Sequence, residues 1–409
     1  MAKHALKRKL RAGHILSALF LFYIFYVGLA ALPQLLVNTS ETLRNGKLNS
    51  SYIKKVNDQY EGMLGTESWY PLLQNKGTYI NFNGLMAKKL GQPLMNERIT
   101  LKNGHLFYVD SKTPDPEEIL HAADNIIRFH DAHTASGGNF LFVMVPSQIS
   151  KYEDLLPAGY TDTTNDTADA FLSLLEQAGV PYLDLREEMH KDGLTVTDDY
   201  YSTDHHWKPQ TGFWAYTKIL KKLEQMEVID PVDSFYTDPE NYVFETYEKT
   251  FLGSCGRRTG IYYGGLDDAI FIRPDFETSI SISIPARPLT LQGRYEEVAY
   301  NTDAVHNYED PDYYQENCYG LYGWGDTEIT HWRNTQAPVQ EKFLLIGESF
   351  GNIPFSLMSI CCSSCDELDP RHFKNDFTDY YNSYRPDTVI VELNIYATLS
   401  EITEYEYLE

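Results

Sequence analysis

The chain has 409 residues, 43% of them hydrophobic, and its 58 Asp and Glu outnumber its 34 Lys and Arg to give a formal net charge of −24. Such a chain can bury a sizeable core, in one large or two ordinary domains. The acidic balance argues against nucleic acid as a partner, because phosphate binding draws on clustered Lys and Arg.

Residues 1–14 form a basic tail, with Lys3, Lys7, Arg8, Lys9 and Arg11 and no acid. From Ile15 to Val37 no residue is charged, and a membrane-spanning helix needs only about 20 such residues. The basic flank places the N-terminus in the cytoplasm and the remaining chain outside. A cleaved signal peptide is the rival reading, with Gly28-Leu29-Ala30-Ala31 supplying small residues for the cut. The apolar run continues past that point to Val37, which favours an uncleaved single-pass anchor. Residues 38–97 read as a stalk and lead-in, and 98–409 as the main domain.

Within the main domain, 98–110 reads as a hairpin turning at Asn103-Gly104. Pro116 to His133 has the spacing of an amphipathic helix, stopped by Gly137-Gly138. Phe140–Val145 is a continuous apolar run closed by Pro146, the pattern of a strand buried on both faces. A helix over 166–178 ends at Gly179, and Val180–Leu185 is a short strand. Residues 209–226 form a helix with Pro209 in its first turn. Residues of about 230–340 are rich in Tyr, Gly, Asp and Pro and read as an insertion, in which Ser279–Pro285 alternates like an exposed strand. Phe343–Ile346 and Thr388–Leu393 are two further buried strands. Strands alternating with helices predict an α/β sheet with mostly parallel strands. The chain has 31 tyrosines, which suit either sugar stacking or ordinary core and rim positions. The five cysteines are Cys255, Cys318, Cys361, Cys362 and Cys365. An exported location permits disulfides. The cluster at 361–365 reads as a local structural or disulfide feature more readily than as a metal half-site, since no second Cys pair answers it at zinc spacing.

Two segments carry chemistry. Ser349 follows a strand within Gly347-Glu348-Ser349-Phe350, where parallel sheets place their sites. Gly347 and Gly351 allow a tight turn, and a helix starting there offers free N–H groups next to the serine. From this segment alone Ser349 reads equally as a nucleophile or a helix cap. Asp204-His205-His206-Trp207 sits in a loop before a helix, and Asp204 can meet the His206 imidazole locally. Its histidines read otherwise as an inert surface pair or as a metal pair, although adjacent histidines point to different sides and do not readily share one ion.

These residues resemble the DHHW family, whose name run stands here at 204–207. That family is similar to the alginate O-acetyltransferase group of SGNH-hydrolase-like proteins. Leu101–Phe107, Val143-Met144-Val145-Pro146 and Val180–Leu185 fit the same pattern. The resemblance implies an SGNH-like acyltransferase domain over 98–409, with Asp204 as acid, His206 as base and Ser349 as nucleophile. The usual Gly-Asp-Ser block is Gly347-Glu348-Ser349 here, and the usual Gly-x-Asn-Asp block is absent. Asn394 is the nearest oxyanion candidate, and Gly351, Arg257, Arg258 and Trp207 are further oxyanion or substrate candidates. No metal and no cofactor are expected. The resemblance implies a multipass membrane O-acyltransferase partner that passes acetyl groups outward, since cytosolic acetyl-CoA cannot reach an exported site. The expected function is O-acetylation of an exported polysaccharide. The alternatives are an esterase using the same residues and a non-catalytic polysaccharide-binding or assembly protein.

Overall fold

The computed structural model of the chain describes residues 76–108, 113–305, 307 and 311–401, with short helical pieces at 17–18, 21–22 and 25–26. The basic tail, most of the expected anchor at 15–37 and the stretch 38–75 lie outside the described residues. Among the described residues no helix is long and apolar enough to cross a membrane. The chain divides into two compact units, 1–83 and 84–409. Of the first, the structure describes the helical pieces and the start of α1 (Lys76–Lys89).

The second unit opens with a small antiparallel sheet of β1 (Leu94–Met95), β2 (Arg98–Thr100) and β3 (Leu106–Tyr108). The β2–β3 turn contains Gly104 at φ +90°, a conformation glycine reaches without a steric penalty. Helix α2 (Pro116–Ala135) begins with a capping box between Asp115 and Glu118. Next come β4 (Asn139–Met144), α3 (Thr164–Ala178), β5 (Tyr182–Asp184) and α4 (Pro209–Gln225). An antiparallel pair follows, β6 (Tyr242–Phe251) with β7 (Asp267–Pro274). The remaining strands are β8 (Ile280–Ile284), β9 (Leu289–Gly293), β10 (Ile329–Arg333), β11 (Val339–Gly347), β12 (Cys362–Leu368) and β13 (Thr388–Leu393). Helix α5 (Asn352–Cys361) joins β11 to β12, α6 (Phe377–Tyr384) precedes β13, and α7 (Ile395–Glu401) follows it.

Eight strands form the central sheet in the order β5-β4-β13-β11-β12-β10-β8-β9. The first five are mutually parallel, and β10, β8 and β9 add on antiparallel. The expected mostly parallel sheet is therefore a mixed one. The short connection between β8 and β9 permits only antiparallel pairing, and β8 alternates buried Ile with half-buried Ser as a one-faced strand does.

The parallel half is buried on both faces, as its uninterrupted apolar runs predict. On β4, Phe140, Phe142 and Met144 pack with α2 and α3, while Leu141 and Val143 face the core built on α4 and α5. Leu344 and Ile346 of β11 join the first group, and Phe343 and Leu345 the second. Each such side chain contributes about 1.5–3 kcal/mol on burial. This two-sided packing makes the strand ends a rigid platform. All five cysteines are buried and free, so no disulfide forms in the 361–365 cluster.

Candidate active site

The platform ends in two segments that meet. β11 stops at Gly347, and the chain turns through a 3-10 segment, Ser349–Gly351, into α5. Neither glycine has a positive φ; each is required by close approach. A Cβ on Gly347 would lie 2.6 Å from the Phe355 ring, and one on Gly351 would lie 2.7 Å from Glu392 Oε2 and 2.8 Å from Phe355. Ser349 does not cap the helix, because its Oγ lies 2.7 Å from His206 Nε2. His206 Nδ1 in turn lies 2.5 Å from Asp204 Oδ1. The three groups expected from sequence are thus joined in one hydrogen-bonded line, and all three are buried.

The 201–207 loop is tied by directional bonds. Asp204 Oδ2 accepts the Ser254 N–H at 2.6 Å, and Asp204 Oδ1 accepts the His206 N–H at 3.1 Å. Gln148 Nε2 donates to the carbonyls of Tyr201 and Asp204 at 2.8 and 2.7 Å. Asp267, the first residue of β7, accepts from the N–H and the hydroxyl of both Ser202 and Thr203, at 2.6–2.9 Å. Burial opposes ionisation of Asp204, but the neighbouring His206 and His205 and these hydrogen bonds outweigh it and hold the carboxyl well below its usual range. Asp204 therefore stays ionised against the ring it faces.

The adjacent histidines face different partners. His205 Nδ1 lies 3.1 Å from Ser254 Oγ and 3.3 Å from the Tyr108 hydroxyl. Burial, reinforced by His206, pushes His205 down to about 3, so it is neutral. Beneath the serine turn lie two buried acids. Glu348 is pushed up to about 7 by burial. Glu392, at the end of β13, is held well above its usual range by burial and by the nearby acids Glu348 and Glu367. Both of its carboxyl oxygens lack a hydrogen-bond partner among the described residues.

The remaining sequence candidates are placed as follows. Asn394 does not face Ser349's oxygen: its N–H and amide nitrogen both donate to Glu348 Oε1, and its side-chain oxygen accepts the Ala397 N–H in the first turn of α7. Trp207 is fully buried and packs edge-on against Phe350, so it supports the loop from behind rather than meeting a substrate. Arg257 donates to the carbonyl of Glu316 at 3.0 Å, and Arg258 is exposed. Gly351 is not a free oxyanion donor: its N–H donates to the Glu348 carbonyl at 2.8 Å, and its lack of a side chain admits Glu392 beneath the turn.

Among the described residues, two clusters have metal-ligand atoms close enough to share an ion, Asp204-His205-His206 and Asp326-Asp369-His372. In the first, the Asp204 and His206 atoms are engaged with each other. In the second, the Arg371 guanidinium already lies 2.6 Å from Asp369 and 3.3 Å from Asp326. Sequence reasoning missed Asp267, Gln148, Ser254 and Glu392. None belongs to a short motif, and the one local hint is that Gln148 stands two residues after Pro146, just beyond β4.

Residues 101–240 match the family model for the SGNH hydrolase-like domain of the acetyltransferase AlgX. Among solved structures, Bacillus cereus PatB1 carrying a sulfonyl adduct aligns over 76% of this chain and 99% of its own, with a TM-score of 0.62 and 17% identity. A DHHW family protein from Eubacterium siraeum aligns over 75% of this chain and 96% of its own, with a TM-score of 0.54 and 16% identity. No curated protein matches the sequence. By sequence over 101–240 and by fold over about three quarters of its length, the chain is similar to the SGNH-hydrolase-like proteins of the AlgX and DHHW type.

Proposed function

We propose that this chain is a serine-dependent O-acetyltransferase acting on an exported polysaccharide, held at the membrane by its N-terminal segment. The observation that carries the proposal is the Ser349–His206–Asp204 line, with 2.7 and 2.5 Å between successive partners. That geometry suits acyl transfer through an acyl-serine. His206 Nε2 takes the Ser349 proton as Oγ attacks the acyl carbonyl. Asp204 holds the ring by its Nδ1 proton and steadies the charge that develops on it. Negative charge grows on the carbonyl oxygen, for which the N–H groups of Ser349 and Phe350 at the start of the turn are the proposed donors, since the Gly351 N–H is taken by the Glu348 carbonyl at 2.8 Å. The tetrahedral intermediate expels the donor's leaving group, which takes the proton from His206. A sugar hydroxyl then gives its proton to His206 as it attacks the acyl-serine carbonyl; the second tetrahedral intermediate breaks its bond to Ser349 Oγ, His206 returns the proton to that oxygen, and the sugar leaves as the ester.

The match of 101–240 to an acetyltransferase domain supports acetyl as the group transferred. The reading needs no cofactor in this chain, and its acetyl donor is a multipass membrane O-acyltransferase. The sulfonyl adduct on the structurally similar PatB1 supports using a sulfonyl fluoride as a probe here. The test uses the full chain in detergent with p-nitrophenyl acetate, alongside Ser349→Ala. The expected result is acetyl on the peptide containing Ser349, turnover that falls at least about 10³-fold in the variant, and ester formed on added oligosaccharide. Folded wild-type chain with no trapped acetyl and no turnover overturns the proposal. Turnover with water alone as acceptor makes the protein an esterase.

A further inference from the structure

Facing His206 is a ring that no motif announces. Tyr319 lies in a short 3-10 turn, Tyr319–Leu321. Its phenol stacks on the imidazole with centroids 3.8 Å apart and planes only 11° apart. His205 approaches the same imidazole at 3.8 Å and 37°, and Phe350 at 4.9 Å and 53°. Tyr319 is itself buried and its hydroxyl points toward the Phe350 carbonyl, 3.5 Å away. Burial keeps that hydroxyl un-ionised. The turn is anchored on both sides, by the Asn317 N–H to the Ala304 carbonyl at 3.1 Å before Tyr319, and by the Asn301 N–H to the Leu321 carbonyl at 2.7 Å and the bridge between Tyr300 and Tyr322 after it. The stack is therefore not a loose surface contact.

Two consequences follow for a base that must give and take a proton. An imidazole turns readily about its Cβ–Cγ bond, a soft torsion, and a modest turn carries Nε2 off the serine. A parallel ring at contact distance blocks that turn. The face of a phenol ring is also electron-rich, so it favours the ring carrying the serine's proton over the neutral one. Asp204 acts at the edge of the imidazole, and Tyr319 acts on its face.

We propose that Tyr319 is a positioning residue for the acyl transfer, its ring clamping His206 with Nε2 on Ser349 and stabilising the protonated imidazole. This rests on the acyl-serine reading. The test uses the full chain in detergent with three variants: Tyr319→Phe, which keeps the ring, and Tyr319→Leu and Tyr319→Met, which remove it. The readouts are the rate of Ser349 modification by phenylmethylsulfonyl fluoride, followed by mass spectrometry, kcat and KM for p-nitrophenyl acetate, and thermal unfolding. The leucine variant is expected to lose about 10- to 100-fold in sulfonylation rate and in kcat, with KM within about twofold. The phenylalanine variant is expected to stay within about threefold of wild type. If the leucine variant does not fold, the methionine variant, which fills similar volume without a ring, gives the same comparison. A folded ringless variant that sulfonylates at the wild-type rate overturns the role of Tyr319, as does a phenylalanine variant that falls as far as leucine. Wild-type chain that is not sulfonylated at Ser349 overturns the acyl-serine reading and the role of Tyr319 together.

Discussion

The two segments that meet at the site are built in opposite ways. The 201–207 loop is wired by hydrogen bonds: Asp267 alone takes four, and Gln148 and Ser254 supply three more. The 347–352 turn is set by steric fit, with two glycines pressed against Phe355 and the carboxyl of Glu392. The first buries an acid that is fully partnered. The second buries one, Glu392, that has no hydrogen-bond partner among the described residues, and a second, Glu348, that Asn394 meets. The difference teaches that the acid–base loop depends on direction and the serine turn on shape. Each kind of dependence has its own mode of failure.

The largest effect is expected from Asp267→Ala. It leaves the donors of buried Thr203 and half-buried Ser202 without that acceptor, at a cost of about 3–5 kcal/mol. Urea unfolding of the variant measures it, and a loss below about 1 kcal/mol means that the loop is not held by its polar contacts.

A pH-dependent effect comes next, from Glu348→Gln. Burial raises Glu348 from 4.5 in the unfolded chain to about 7 in the folded one. The unfolded chain therefore releases this proton first as pH rises. Stability from the neutral form is complete below about pH 4.5 and is lost progressively up to about pH 7, to a total of roughly 3 kcal/mol. Glutamine does not titrate, so the stability of the variant relative to wild type should climb across that window and then level off. Urea titrations at pH 4.5, 5.5, 7 and 8 check this, and a constant difference would falsify the assignment.

The smallest stability effect is expected from Gly351→Ala, about 1–3 kcal/mol for overpacking against Phe355 and Glu392. Its functional effect is larger in proportion, because the turn carries Ser349. Sulfonylation of Ser349 should slow at least about tenfold. A variant that labels at the wild-type rate shows that the turn yields to the added methyl group.

Much of the parallel half of the fold was legible in advance. The run Phe140–Val145 and the stretches at 343–346 and 388–393 are strands, and Pro116, Gly179 and Pro209 mark helix ends as their chemistry dictates. β12 was not legible. Its sequence, Cys362-Ser363-Ser364-Cys365-Asp366-Glu367-Leu368, has neither an apolar run nor clean alternation, and it is a strand because β11 and β10 hold it on either side. The change from parallel to antiparallel pairing at β10 was hidden for the same reason. The positions of Asp204, His206 and Ser349 could be named from two short runs. Their surroundings could not: Asp267 is one acid among 58, and Tyr319 one tyrosine among 31.

What the sequence determined by itself was local: which stretches bury both faces, where helices start and stop, and that a carboxylate and an imidazole stand two residues apart. Such features depend on interactions within a few residues, so their pattern survives in one dimension. Only the tertiary structure decided that Ser349 meets His206 across 143 positions, that Asp267 reaches back 65 positions to Ser202, and that Tyr319 lies flat on the imidazole. Those partnerships are set by the path of the chain over the sheet. Many acids and tyrosines could have filled these roles, and packing selected which of them did.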